Sequence, residues 1–127
     1  HMIRVPDQGR FELRLMDGAA NPYLLQAGVL AAGLEGMDKK INPGKPLHCN
    51  MYTDYKKYKN LPKLPNDLPQ ALSFLQKNKS LSDAFGKSVI DSYIKLKTSE
   101  LREFKRKNNF NKKKPITAWE QINTLDC

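Results

Sequence analysis

The sequence predicts an α+β fold, a short antiparallel strand pair followed by about four helices. Three observations carry this. Residues 10–16 alternate charged and apolar side chains, Asn21-Pro22 opens a long apolar stretch, and helix-start signals recur from Asp67 onward between apolar residues at three-to-four spacing.

Ile3-Arg4-Val5-Pro6 reads as a short extended segment, stopped by the proline, and Asp7-Gln8-Gly9 has turn chemistry. Arg10, Glu12 and Arg14 then share one strand face, while Phe11, Leu13 and Leu15 share the other, which is expected to face a core. Asp17-Gly18-Ala19-Ala20 breaks the strand. Asn21 is a favoured N-cap, and Pro22 suits the first helical position because its missing N–H has no helical partner there. The helix expected from Pro22 to about Lys39 is apolar nearly all round, which predicts burial within something larger. Gly28 and Gly33 are each unfavourable in an isolated helix by roughly 1 kcal/mol, so a close neighbour is expected at both.

Ile41 to Pro65 reads as a long loop, and loops of that length are usually functional or mobile. Asp67 with Gln70 forms a capping-box pattern ahead of Ala71, Leu72, Phe74 and Leu75, and Ser80 with Asp83 suggests another helix start. Val89, Ile90, Tyr93, Ile94, Leu101 and Phe104 predict an amphipathic helix from about Lys87 to Lys107. Thr117 with Glu120 caps a last short helix in which Trp119 is expected to anchor packing.

At 127 residues the chain is one modest domain or a piece of a larger one, and 39% hydrophobic content allows a core. No apolar run approaches the roughly 20 residues of a membrane span, so no membrane partner is expected. His1-Met2 reads as the remnant of an expression tag ahead of a chain that starts directly at Ile3, which suggests a segment cut from a longer protein. Cys49 and Cys127 lie far apart and form no disulfide framework, so a reducing cytoplasm is the expected compartment. The net charge of +9 raises nucleic acid and acidic membranes as partners. Much of it lies between Lys95 and Lys114, where nine Lys or Arg residues, Lys112, Lys113 and Lys114 among them, face only Glu100 and Glu103. A solvated helix face followed by a basic loop is the commoner meaning of such a run, and nucleic acid binding is not the expectation.

The Arg10, Glu12, Arg14 face carries the chemistry. Side chains two residues apart on a strand stand about 7 Å apart. A carboxylate between two guanidiniums is held ionised. Such a set suits a hard divalent cation on the carboxylate, with arginines clamping phosphate or carboxylate oxygens around it. A salt-bridged, solvent-facing strand is the plain alternative, and the pattern alone favours it.

The longer string changes that balance. Residues 10–24 read Arg-Phe-Glu-Leu-Arg-Leu-Met-Asp-Gly-Ala-Ala-Asn-Pro-Tyr-Leu and residues 30–37 read Leu-Ala-Ala-Gly-Leu-Glu-Gly-Met. Together they closely resemble the glutamine synthetase family, whose Arg-x-Glu-x-Arg strand leads through Ala-Asn-Pro-Tyr-Leu into a helix ending Ala-Gly-Leu-Asp-Gly. Ile3-Arg-Val-Pro6, Leu64-Pro-Asn-Asp-Leu-Pro-Gln-Ala-Leu72 and Ala118-Trp-Glu120 extend the resemblance in order along almost the whole chain. It implies that residues 3–127 are the C-terminal part of the family's α/β barrel-like catalytic domain. The implied reaction makes glutamine from glutamate, ammonia and ATP through a γ-glutamyl phosphate, in a homo-oligomer. By the same resemblance Glu12 matches a ligand of the Mg2+ or Mn2+ that bridges the nucleotide phosphates. Arg4 and Arg10 match ATP-phosphate contacts, and Arg14 matches the arginine at the glutamate substrate and its acyl phosphate. These roles suit phosphoryl transfer, in which positioned positive charge does most of the work.

Met16 replaces a proline common before the aspartate, and Gly18 stands where another small residue or proline is usual. The family's other metal carboxylates, its ligand histidine and its ammonia-site aspartate are not matched in this sequence. The chain alone is therefore expected to bind neither metal nor ATP productively and to have no synthetase activity. A ligase using an amine other than ammonia fits the same residues. A basic helical nucleic-acid module is an alternative from a different class, and an oligomerisation surface a third. Tyr52 falls where some bacterial members carry an adenylylated tyrosine, but Thr53-Asp54-Tyr55 departs from the usual Asp-Leu-Pro, so a loop tyrosine covering apolar surface is expected. His48 and Cys49 have no further Cys or His at ligand spacing and are read as loop structure.

Overall fold

The computed structural model describes residues 2–107 and 116–124. His1, Lys112, Lys113, Lys114 and Cys127, singled out above, lie outside the described residues. Two strands, β1 (Ile3–Asp7) and β2 (Arg10–Leu13), form an antiparallel hairpin. Helices α1 (Pro22–Asp38), α2 (Met51–Asp54), α3 (Leu68–Lys77), α4 (Lys79–Phe85), α5 (Lys87–Lys107) and α6 (Ala118–Thr124) follow. The α+β architecture is as the sequence predicts, with more and shorter helices.

The hairpin turns at Gly9, whose φ of 78° lies in the left-handed region that L side chains avoid. Ile3 pairs with Leu13, Arg4 with Glu12 and Asp7 with Arg10, with a register shift between Arg4 and Asp7. Pro6 sits inside that irregularity, where a residue without an N–H costs the ladder least. The strand expected to run to Met16 ends at Leu13, although the Arg14 N–H still donates to the Met2 carbonyl at 2.9 Å.

The local caps behave as their chemistry dictates. The Asn21 side chain accepts from the Tyr23 and Leu24 N–H groups at the start of α1. Asp67 accepts from the Gln70 N–H, while Gln70 reaches back to the Asn66 N–H rather than to that of Asp67. Thr117 and Glu120 close a reciprocal capping box. The helix expected to start at Ser80 starts one residue earlier. Asn78 is its N-cap, accepting from the Leu81 N–H at 2.9 Å. The expected loop at 41–65 contains α2 and a 3-10 turn at Tyr55–Lys57, because Asn50 supplies a cap to the Tyr52 N–H.

Helices α3, α4 and α5 pack together, α1 lies against α4, and Trp119 of α6 meets Phe104 of α5 edge-to-face at 5.5 Å. Trp119 is thus the packing anchor expected of it. Its buried Nε1 has no hydrogen-bond partner among the described residues. Among the described residues Leu72 and Ile90 are the buried hydrophobic residues of this core. Full burial of such a side chain contributes roughly 1.5–3 kcal/mol, so the core is thin.

Three packing expectations are corrected. Helix α1, apolar all round, contains no buried residue, and Tyr23 is 82% exposed. A Cβ placed at Gly28 or Gly33 would meet nothing within 4 Å, so no element among the described residues approaches them closely. Phe11 and Leu15, assigned to a core face, are exposed because nothing among the described residues covers that side of the hairpin. The reason is common to all three. Hydrophobic patterning reports which surfaces need cover, and the described residues supply it at few of them.

Candidate phosphate site

The hairpin assembles the predicted residues on one face. Alternation puts Arg10, Glu12 and Arg14 of the second strand side by side, and the register sets Arg4 directly across from Glu12. The Glu12 carboxylate sits at the centre. Arg10 Nη2 lies 2.8 Å from Oε1, Arg4 Nη1 3.1 Å from Oε2, and Arg14 Nε 3.6 Å from Oε2. Glu12 is the most sheltered of the four, its side chain 27% exposed against 63% for Arg10.

The electrostatics follow from the geometry. Hydrogen bonds from Arg10 and then Arg4, with the nearby charges of Arg4 and Arg14, hold the Glu12 carboxyl below the usual carboxylate range, against a smaller opposing effect of burial. Three guanidiniums and one carboxylate leave a formal surplus of two positive charges on the cluster. Asp7, the register partner of Arg10, makes no ion pair among the described residues. Such a surface attracts anions, and the planar forks of Arg match phosphate and carboxylate oxygens.

A divalent cation fits less completely. Mg2+ takes octahedral oxygen coordination, and Glu12 offers one carboxylate. Among the described residues no group of three or more His, Cys, Asp or Glu converges to hold a metal ion. The donor set therefore fits the phosphates of a nucleotide directly. It fits the cation only with ligands drawn from outside these residues.

The segment after the hairpin is locally ordered. Asp17 accepts from the Ala19 N–H at 2.8 Å, which leads the chain into the Asn21 cap and α1. Sequence reasoning did not find the junction of α1 with α4, where the Glu35 carboxylate accepts from both Lys39 Nζ and Ser80 Oγ. No local signal joins residues that far apart in sequence. Tyr52 does not cover apolar surface, since it projects from α2 and is 89% exposed. Cys49 Sγ lies 3.6 Å from Met51 Sδ, within the loop role read for it. No helix among the described residues is long and apolar enough to cross a membrane.

The model of the glutamine synthetase catalytic domain matches residues 1–114. The glutamine synthetase of Rhizobium meliloti (strain 1021) is 44% identical over 99% of this chain and 27% of its own length. A glutamate–methylamine ligase from Methyloversatilis universalis is 38% identical over 83% of this chain and 24% of its own length. A solved GmaS/ADP complex superimposes with a TM-score of 0.78 at 38% identity, covering 100% of this chain and 27% of that one. The chain thus spans about a quarter of the length of the relatives it matches. With the family model matching most of its residues, the chain belongs to the glutamine synthetase catalytic-domain family.

Proposed function

We propose that this chain is the C-terminal part, residues 3–127, of the catalytic domain of an ATP-dependent glutamate–ammonia ligase, and that its hairpin forms the phosphate edge of the active site. The observation that carries the reading is the convergence of Arg4, Arg10 and Arg14 on Glu12. Arg4 and Arg10 hold the ATP phosphates. Arg14 contacts the glutamate substrate and the acyl phosphate made from it, offering fixed positive charge where negative charge develops. Glu12 supplies one oxygen ligand to Mg2+ or Mn2+, and that ion when bound neutralises charge on the phosphoryl group in transfer. The remaining ligands come from other parts of the longer protein, a cytoplasmic homo-oligomer.

A synthetase needs an ammonia site and further metal ligands, which the described hairpin does not offer, so the chain alone is inactive. The test is ATP-dependent γ-glutamyl hydroxamate formation, measured on this chain and on the longer protein that contains it. Turnover by the longer protein and none by the chain is expected. Turnover by the chain alone, or none by the longer protein, contradicts the reading.

A second reading has its own support. The similarity to a glutamate–methylamine ligase and to the GmaS/ADP complex favours an amine other than ammonia as the acceptor. Comparing ammonia with methylamine as acceptors in the longer protein separates the two. Nucleic acid binding has less support, since Lys87, Lys97 and Lys107 of the basic helix are ion-paired with Asp91, Glu100 and Glu103.

A further inference from the structure

Ion pairing sorts the cations of α5 into two groups. Lys87, Lys97 and Lys107 are taken up by Asp91, Glu100 and Glu103. Lys95, Arg102, Lys105 and Arg106 are exposed and make no ion pair among the described residues. Lys95, Ser99, Arg102 and Arg106 recur at three-to-four spacing, so they form one row along the helix, roughly 16 Å long. The row lies opposite the face on which Ile90 is buried and Phe104 meets Trp119. Ser99, Arg102 and Arg106 line a shallow surface recess together with Glu103.

A solvated helix does not require this arrangement. Like charges one turn apart, as at Arg102 and Arg106, work against a helix. The helix dipole accounts for Lys105, Arg106 and Lys107 in the last turn, but its effect fades before Arg102 and Lys95. Leu96, beside the row, is 56% exposed and offers an apolar contact. Arg is enriched at protein contacts, where its planar fork pairs carboxylates through two parallel bonds. Asp91 and Glu103 flank the row, and acidic flanks oppose a continuous phosphate backbone more than a short run of carboxylates.

We propose that the row of Lys95, Ser99, Arg102 and Arg106 is a docking surface for an acidic protein segment, a helix bearing carboxylates at matching spacing. Arg102 and Arg106 pair with those carboxylates, Ser99 donates a hydrogen bond, and Leu96 covers an apolar side chain beside them. A second copy of this chain, at a net charge of +9, has the wrong sign for the row. The row shares no residue with the hairpin, so it stands whether or not the phosphate-edge reading holds.

The experiment is fluorescence anisotropy with a labelled alanine-based helical peptide of about 20 residues, its glutamates repeating at the spacing of the row. A scrambled peptide of the same composition and a DNA duplex are the comparison probes. Both this chain and the longer protein are titrated. The variants are Arg102→Gln with Arg106→Gln, Lys45→Gln with Lys63→Gln, and Glu103→Gln. Lys45 and Lys63 are exposed and make no ion pair among the described residues, so that pair controls for net charge. The patterned peptide is expected to bind wild type several-fold tighter than the scrambled one. The double Arg variant should bind it about three- to ten-fold more weakly, with the Lys control near wild type. Glu103→Gln removes the carboxylate from the recess and should tighten binding about two-fold or more. Gln matches Arg closely in helix propensity, and circular dichroism verifies that helicity is kept. Should helicity fall in the double Arg variant, the preference of wild type for the patterned peptide and the gain in Glu103→Gln decide. Equal binding of the two peptides, equal losses in the Arg variant and the Lys control, or no gain in Glu103→Gln overturns the proposal. So does tighter binding of DNA through Arg102 and Arg106, which assigns the row to nucleic acid. Binding by this chain but not by the longer protein also overturns it, since the row is then covered within that protein.

Discussion

Arg4 Nη1 lies 3.1 Å from Glu12 Oε2 across the hairpin, although the two stand eight positions apart in sequence. That contact joins the first strand to the Arg-x-Glu-x-Arg strand and turns a row of three side chains into a cluster of four. It depends on backbone register, and the register depends on the turn at Gly9 and the irregularity around Pro6.

Gly9→Ala should loosen this arrangement. A side chain at φ 78° is strained whatever the space around it, and the cost is expected to be about 1 kcal/mol or more. Cross-strand NMR contacts between Arg4 and Glu12 should weaken while the helical circular dichroism signal is retained.

The glycines of α1 should behave in the opposite way. Gly28→Ala meets nothing within 4 Å and lies inside a helix, so it should stabilise the chain by up to about 1 kcal/mol. Gly86, between α4 and α5 at φ 85°, should lose about 1 kcal/mol or more on the same change. Chemical denaturation of the two variants side by side checks the contrast.

Leu72→Ala removes one of the two hydrophobic side chains that are buried among the described residues. Large-to-small changes at such sites cost about 2–5 kcal/mol. With so thin a core, the expected outcome is loss of the cooperative thermal transition of α3 to α5, followed by circular dichroism.

The junction of α1 and α4 should weaken in acid. Lys39 and then Ser80 hold the Glu35 carboxyl below its ordinary value of 4.5. A folded-state pKa depressed in this way gives stability that is present above the unfolded value and lost as pH falls through the folded one. Thermal midpoints should therefore drop below pH 4.5, and Glu35→Gln should remove its share of that drop while lowering the midpoint at neutral pH. An identical acid profile in the variant would show that the contact contributes nothing.

What could be read from the sequence follows the range of the interactions. The Asn21 cap, the Thr117–Glu120 box and the shared face of Arg10, Glu12 and Arg14 are set by neighbours within four residues, and all were legible. The cap at Asn78 was misplaced by a short distance because Ser80 two residues later has similar capping chemistry. The link from Glu35 to Ser80 spans 45 residues, and nothing local announces it. Patterning marked α1 as a surface to be buried, yet which partner covers it is not encoded within these residues. The roles proposed for Arg4, Arg10, Glu12 and Arg14 rest on family resemblance, because no local pattern of charge names the ligand it binds. The geometry brings the four together on one face of the hairpin.

The most direct test of the phosphate-edge account is the rate of ATP-dependent γ-glutamyl hydroxamate formation by the longer protein carrying Arg14→Ala. Removing a fixed charge that stabilises the transition state costs about 100- to 1,000-fold in kcat. The account predicts a loss of that order with the thermal midpoint unchanged, and a kcat equal to that of the unaltered protein would contradict it.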